Sequence, residues 1–230
     1  MIKDIRAKRC IDDACINIEE TVALEEHVSI VFGRYRFETY ASPEGLKEMA
    51  IGHLVASGLI KDKSQISSIA VANDGTGHSI RVSGKGGKRE KWPMKRMRLD
   101  PKKIFHFNSV VTSSSGLFDR TGAFHYAFIF DNEGNLLQRA CDIGRMNAID
   151  KAVGKALEDE VQLDGKILYT TGRIASRTVE KAINTSMPII ISKAPPMYEA
   201  IRLAKENGIT IIGFSRENRY NVYTDEDNGY

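Results

Sequence analysis

Three short stretches of this chain combine glycine, arginine and small polar residues: Asp142-Ile143-Gly144-Arg145-Met146-Asn147, Thr171-Gly172-Arg173-Ile174-Ala175-Ser176 and Phe214-Ser215-Arg216-Glu217-Asn218-Arg219. Each follows an apolar run of strand length, and the first two precede a helical pattern. Helix N-termini offer free N–H groups to anions, and arginine adds a bidentate fork that fits phosphate. In open α/β sheets such junctions gather at the carboxyl ends of the strands, where ligands bind. A plainer reading makes Asp142 and Ser176 helix caps and leaves the arginines solvated. The same chemistry recurring at three junctions favours a phosphate-bearing ligand, with Asp142, Arg145, Asn147, Arg173, Ser176 and Phe214–Arg219 as its candidate contacts.

The three cysteines are Cys10, Cys15 and Cys141. An odd number in a chain this long does not make a disulfide framework, so reduced thiols and a cytoplasmic setting are expected. Cys141 directly precedes the first cluster. A helix N-terminus, Arg139 and Arg145 would activate its thiol and Asp142 would oppose that, so nucleophile and buried structural residue both stand as readings. The five histidines are scattered and no C-x-x-C is present, so no metal site is expected. His125, among strand-forming neighbours, reads as a hydrogen-bonded core residue. Gly84, Gly86 and Gly87 lack the flanks of a phosphate-cradling loop and read as linker.

Two parts must position these residues. Residues 1–103 read as a smaller α+β part. Val28–Phe37 alternates as a strand pair turning near Gly33. Ser42-Pro43-Glu44 looks like a helix start that Gly58 ends, and Ile66–Val71 and His78–Val82 flank an Asn73-Asp74-Gly75 turn. Gly84–Lys103 reads as a long exposed connector. Residues 104–230 read as α/β. A hairpin, Ala123–Phe130 and Leu136–Cys141, leads to a helix at Asn147–Leu157. Lys166–Thr171, Ser176–Asn184, Pro188–Ile191, Met197–Glu206, Thr210–Phe214 and Tyr220–Thr224 then alternate strand, helix, strand, helix, strand, strand. That order predicts a largely parallel or mixed sheet flanked by helices.

With 230 residues, 42% hydrophobic and 27% charged, the chain is ordinary globular material, and no apolar run has the length of a membrane-spanning helix. The net charge of +3 is unevenly spread: Arg81–Lys103 carries ten Lys/Arg and two acids, +8, which leaves −5 on the rest. That segment is an anion site or a dock for an acidic partner. Its single aromatic, Trp92, offers little stacking for nucleic acid.

The motifs together resemble a known family. Phe118–Ala127 is similar to F-x-x-T-G-G-x-H-x-A, and Cys141–Lys151 to E-D-I-G-R-H-N-A-V-D-K. Gly172–Ser176 is similar to G-R-x-S, and Ile211–Arg216 with Arg219–Thr224 to L-x-G-F-x-R-x-x-R-x-N-V-Y-T. Pro43, Leu46–Gly52 and Gly58–Ile60 fit the family's first helix. The chain resembles the formate dehydrogenase accessory sulfurtransferases, the FdhD family, over roughly residues 14 to 224. The resemblance implies a cytidine-deaminase-like three-layer domain with a smaller N-terminal part, and a cytoplasmic homodimer. It implies sulfur taken as a persulfide from a cysteine desulfurase. That sulfur passes to the molybdenum or tungsten bis-pterin guanine dinucleotide cofactor of a formate dehydrogenase. Phe214, Ser215, Arg216, Glu217, Asn218 and Arg219 align with its cofactor-binding stretch. The chain departs from the pattern in lacking the family's sulfur-carrying C-G-x-C loop, since no cysteine lies between Cys15 and Cys141. Met146 stands for a histidine, Cys141 for a glutamate and Ala123 for a glycine. Cys141 is the one thiol next to the aligned site, so either it carries sulfur or the chain binds the cofactor without transferring any.

Overall fold

The computed structural model describes residues 1–87, 94, 97 and 99–224. Its main body is a six-stranded mixed sheet in the order β12-β11-β10-β9-β7-β8. The strands are β7 (His125–Phe130), β8 (Leu136–Asp142), β9 (Ile167–Thr170), β10 (Ile189–Ser192), β11 (Thr210–Arg216) and β12 (Arg219–Val222). β8, β9, β10 and β11 point one way, and β7 and β12 run against them. Helices α4 (Arg145–Glu158), α5 (Ser176–Thr185) and α6 (Tyr198–Glu206) connect these strands. Their apolar stripes cover one face, where Ile149, Val153, Val179 and Ala204 meet Ile129, Leu168, Ile190 and Ile211. The opposite face, with Phe128, Phe130, Tyr169, Ile191 and Ile212, packs on Ile104, Phe107 and Val111 of α2 (Pro101–Ser113). Side chains alternate across the sheet, so both faces need cover and three layers result.

The smaller part is a four-stranded sheet, β4-β3-β6-β5, built from β3 (Glu26–Phe32), β4 (Tyr35–Ala41), β5 (Ile66–Asn73) and β6 (His78–Gly84). It packs on α1 (Leu46–Ala56) through Val28, Ile30, Ile80, Met49 and Leu54. Helix α1 is buried along most of its length because it also packs on α4. The crossing is glycine to glycine. A Cβ on Gly52 would lie 1.8 Å from the Asp150 carbonyl oxygen, and one on Gly154 would lie 1.8 Å from that of Glu48.

Three expectations change. Ser42 does not cap α1: the helix starts at Leu46 after a left-handed Gly45, and the Ser42 hydroxyl binds Asp142 instead. The exposed connector ends earlier than predicted, because Leu99 is buried and Pro101–Lys103 form the first turn of α2, capped by Asp100 through the Lys102 amide at 2.9 Å. Residues 88–93, 95, 96 and 98 of that connector, Trp92 among them, lie outside the described residues. The N-terminal 23 residues, given no elements from the sequence, form a long antiparallel hairpin, β1 (Ile2–Ile11) and β2 (Ala14–Ala23). At its end Cys10 and Cys15 face each other and are disulfide-bonded, where reduced thiols were expected. The short helix α3 (Gly116–Thr121) was also unanticipated; it packs against β2. Among the described residues no helix is long and apolar enough to cross a membrane.

Candidate functional site

The loops after β8, β9, β10 and β11 all emerge at one edge of the main sheet, where α4, α5 and α6 begin. The three polar clusters therefore share that edge. The last three of these loops are laced together by backbone hydrogen bonds. The Ile174 amide donates to the Pro195 carbonyl at 3.1 Å, Met197 to Ile174 at 2.8 Å and Phe214 to Ala194 at 3.3 Å.

The third cluster forms a cleft of about 670 Å³, lined by Asn108, Thr112, Lys193 and residues 216–219. A bulge in β11 builds it. The pairing register with β12 shifts between Gly213 and Arg216, and Phe214 takes φ +49°. A left-handed conformation is costly for a bulky residue and persists where neighbours hold it. Here Asn108 of α2 does so. Its side-chain oxygen accepts from the Ser215 hydroxyl at 2.8 Å and from the Tyr169 hydroxyl at 2.7 Å, and its amide donates to the Arg216 carbonyl at 2.6 Å. Burial keeps the Tyr169 phenol well above its ordinary range, so it stays a donor. Ser215 is thus a buried structural hydroxyl, while Arg216, Glu217, Asn218 and Arg219 are exposed. Among the described residues no ion pair engages Arg216 or Arg219. Lys193 donates to the Thr112 hydroxyl at 2.9 Å. Burial, with the Arg216 charge, lowers its pKa against the opposing pull of Asp119 and Glu217. The cleft therefore holds three cations and one carboxylate, which suits an anion. Asn108, Thr112 and Lys193 carried no signal in sequence, because α2 reaches the cleft only through the tertiary fold.

The second cluster lies farther along the edge. Arg145 packs tightly over Gly172, where a Cβ would lie 2.8 Å from the Arg145 Cβ, and its buried Nε has no hydrogen-bond partner among the described residues. Burial lowers the pKa of His125, and Arg145 and Arg173 lower it further against Asp142. Both arginines are therefore close enough to act on His125. Arg173 is exposed, and Ser176 opens α5 partly exposed.

Two candidates of the first cluster are buried and hydrogen-bonded within the protein. Asp142 is fully buried. Its Oδ1 accepts from the Gly144 amide (2.8 Å) and Asn147 (3.0 Å), and its Oδ2 from the Ser42 amide (3.0 Å), the Ser42 hydroxyl (2.9 Å) and Lys151 (2.5 Å). Asn147, also buried, donates to the Tyr40 carbonyl at 2.9 Å. These two residues join the smaller part to the main sheet. Cys141, half-buried opposite Tyr126, packs with the apolar cluster beneath α2, and burial pushes its thiol pKa up. That opposes its reading as a nucleophile, since the thiolate is the reactive form.

A further cavity of about 580 Å³ lies between the two parts. At its wall Asp150 accepts from Lys181 (2.5 Å) and His53 Nδ1 (3.0 Å), while the Tyr35 hydroxyl bonds His53 Nε2 at 2.8 Å. Burial raises the Asp150 pKa, but Lys181 and His53 outweigh it and hold the carboxyl below its ordinary value. A folded pKa below the unfolded one, about 3.9, gives stability that is complete above about pH 5 and lost as the pH falls through that range. Denaturant midpoints measured from pH 6 to pH 3 should thus fall less steeply for Asp150→Asn than for wild type; equal slopes would show that this carboxylate does not drive acid unfolding.

Residues 23–228 match the family model described as the FdhD/NarQ family. The chain belongs to that family. It is 35% identical over 227 residues to protein FdhD of Methanocaldococcus jannaschii, covering 97% of both chains. It is 30% identical over 235 residues to the sulfur carrier protein FdhD of Bacillus subtilis, covering 90% of this chain and 89% of that one. A crystal structure described as a formate dehydrogenase accessory protein from Desulfotalea psychrophila superposes with a TM-score of 0.82. It has 28% identity and covers 97% of this chain and 96% of that one. The FdhD motifs fall on both sides of the site: Gly172–Ser176 and the Arg216–Arg219 turn lie at its open edge, whereas the Asp142-to-Lys151 stretch mainly ties the two parts together.

Proposed function

We propose that this FdhD-family chain is an accessory sulfur carrier for a formate dehydrogenase-type enzyme. In this reading the Arg216–Arg219 cleft holds the guanine dinucleotide phosphates of the enzyme's molybdenum or tungsten bis-pterin cofactor. The observation that carries the reading is the excess of cations at the cleft: Arg216, Arg219 and Lys193 line it without an ion-pair partner among the described residues, beside a bulge held open by Asn108. The described residues hold no group of three or more His, Cys, Asp or Glu side chains that could ligate a metal ion. In this reading the protein's contacts are with the organic part of the cofactor, and what the chain supplies is charge, hydrogen bonds and orientation. The cytidine-deaminase-like topology, the homodimer, the cysteine desulfurase donor and the cytoplasmic setting belong to the same reading, on the strength of the family. A cofactor chaperone that transfers no sulfur is the second reading, and the burial of Cys141 favours it. Calorimetry with GDP, a fragment of the cofactor, tests the cleft. Removing two charge-assisted contacts should weaken binding on the order of 100-fold or more in the Arg216→Ala, Arg219→Ala double variant. Unchanged affinity would move the nucleotide elsewhere, and no binding by wild type would remove the nucleotide reading.

A further inference from the structure

A sulfur carrier needs a thiolate that a donor can reach, and Cys141 is a poor one: half-buried, with burial raising its pKa. The other two cysteines are placed differently. Cys10 and Cys15 are both exposed, directly opposite each other at the end of the β1–β2 hairpin, and bonded to one another. Each strand has ten residues, a reach of roughly 30 Å. The base of the hairpin is anchored on the main body. The Met1 ammonium bonds Glu44 at 3.1 Å, two residues from the Ser42 that holds Asp142. Met1, Ile2 and Ala23 pack on the same apolar cluster as Cys141 and Ile143. Strand β2 also packs on α3, whose Asp119 acts on Lys193 in the cleft. The arm thus rises from the main body beside α3 and carries a dithiol outward.

From this geometry we infer that Cys10 and Cys15 are the sulfur-carrying pair of this chain, an inference that rests on the carrier reading above. A dithiol reductant first opens the Cys10–Cys15 bond to two thiols and is itself oxidised to a disulfide. One thiolate then attacks the outer sulfur of a donor persulfide, R–S–S⁻. A Cys–S–S bond forms, the donor's S–S bond breaks and R–S⁻ leaves, with no net oxidation. The second thiol then loses its proton and attacks the inner sulfur of the cysteine persulfide. The Cys10–Cys15 disulfide re-forms and the outer sulfur leaves as HS⁻, taking the two electrons that the dithiol gives up. The disulfide in the structure is the spent state of that cycle.

The test loads the reduced full-length chain with glutathione persulfide, then maps added sulfur by peptide mass spectrometry and assays released hydrosulfide. The expected result is a persulfide on Cys10 or Cys15, with hydrosulfide released as the disulfide closes. One of Cys10→Ala and Cys15→Ala should keep a persulfide and release no hydrosulfide. Cys141→Ala should load and release like wild type. Sulfur on Cys141 alone would overturn the inference and leave the carrier reading standing. No sulfur on any cysteine would overturn both. Equal hydrosulfide release from wild type and the Cys10→Ala, Cys15→Ala double variant would also overturn the inference.

Discussion

Gly52→Ala and Gly154→Ala are each expected to destabilise the fold by about 3 kcal/mol or to prevent folding, although alanine is the better helix former by about 1 kcal/mol. The new methyl would lie 1.8 Å from a backbone carbonyl oxygen of the facing helix in both cases. A rotamer change cannot relieve such a contact, because the obstacle is main chain. The helices α1 and α4 would have to separate, and that would open the cavity wall carrying Asp150 and the network around Asp142. Denaturant midpoints measure the effect. A midpoint within experimental error of wild type for either variant would mean that the two helices do not cross this closely. Gly33→Ala serves as a control of opposite kind: nothing lies within 4 Å of its added Cβ, so its cost is confined to its left-handed backbone.

Lys151→Met should cost about 3–5 kcal/mol, the penalty of leaving a buried carboxylate without its counter-charge. Lys151 is 2% exposed and Asp142 fully buried, and the ammonium also donates to the Ser42 carbonyl and hydroxyl, both at 2.9 Å. The double variant Asp142→Asn, Lys151→Met should recover part of the loss, since it removes both charges together. A double-mutant cycle by chemical denaturation reads the coupling. Additive effects of the two single substitutions would show that the pair does not hold the smaller part to the sheet. The loss should extend to function, because β8 and α4 set the frame from which Arg145 reaches across Gly172.

Local sequence determined most of the elements. The strand-and-helix alternation from β7 to β12 and the β3–β4 hairpin were legible because each depends on side-chain periodicity and on turn residues close in the chain. The arginine junctions were legible for the same reason: a residue where a strand ends must lie at the sheet's edge, whichever strands neighbour it. The family was legible in the motif strings themselves.

Where the polar groups point was decided by tertiary structure. Ser42 reads as a helix cap in sequence, yet its hydroxyl lies 2.9 Å from an Asp142 oxygen a hundred residues away. Asp142 and Asn147 read as crevice residues by position, and both are buried in hydrogen bonds that reach the smaller part. Asn108 had no local signature, and it holds the cleft because a helix on the far side of the sheet meets the β11 bulge. Cys10 and Cys15 became a pair only through the register of a hairpin whose exposed, charged strands lack clear alternation. Sequence order fixes which groups can reach an edge; the long-range packing of helices and sheets fixes which of them remain free to meet a ligand.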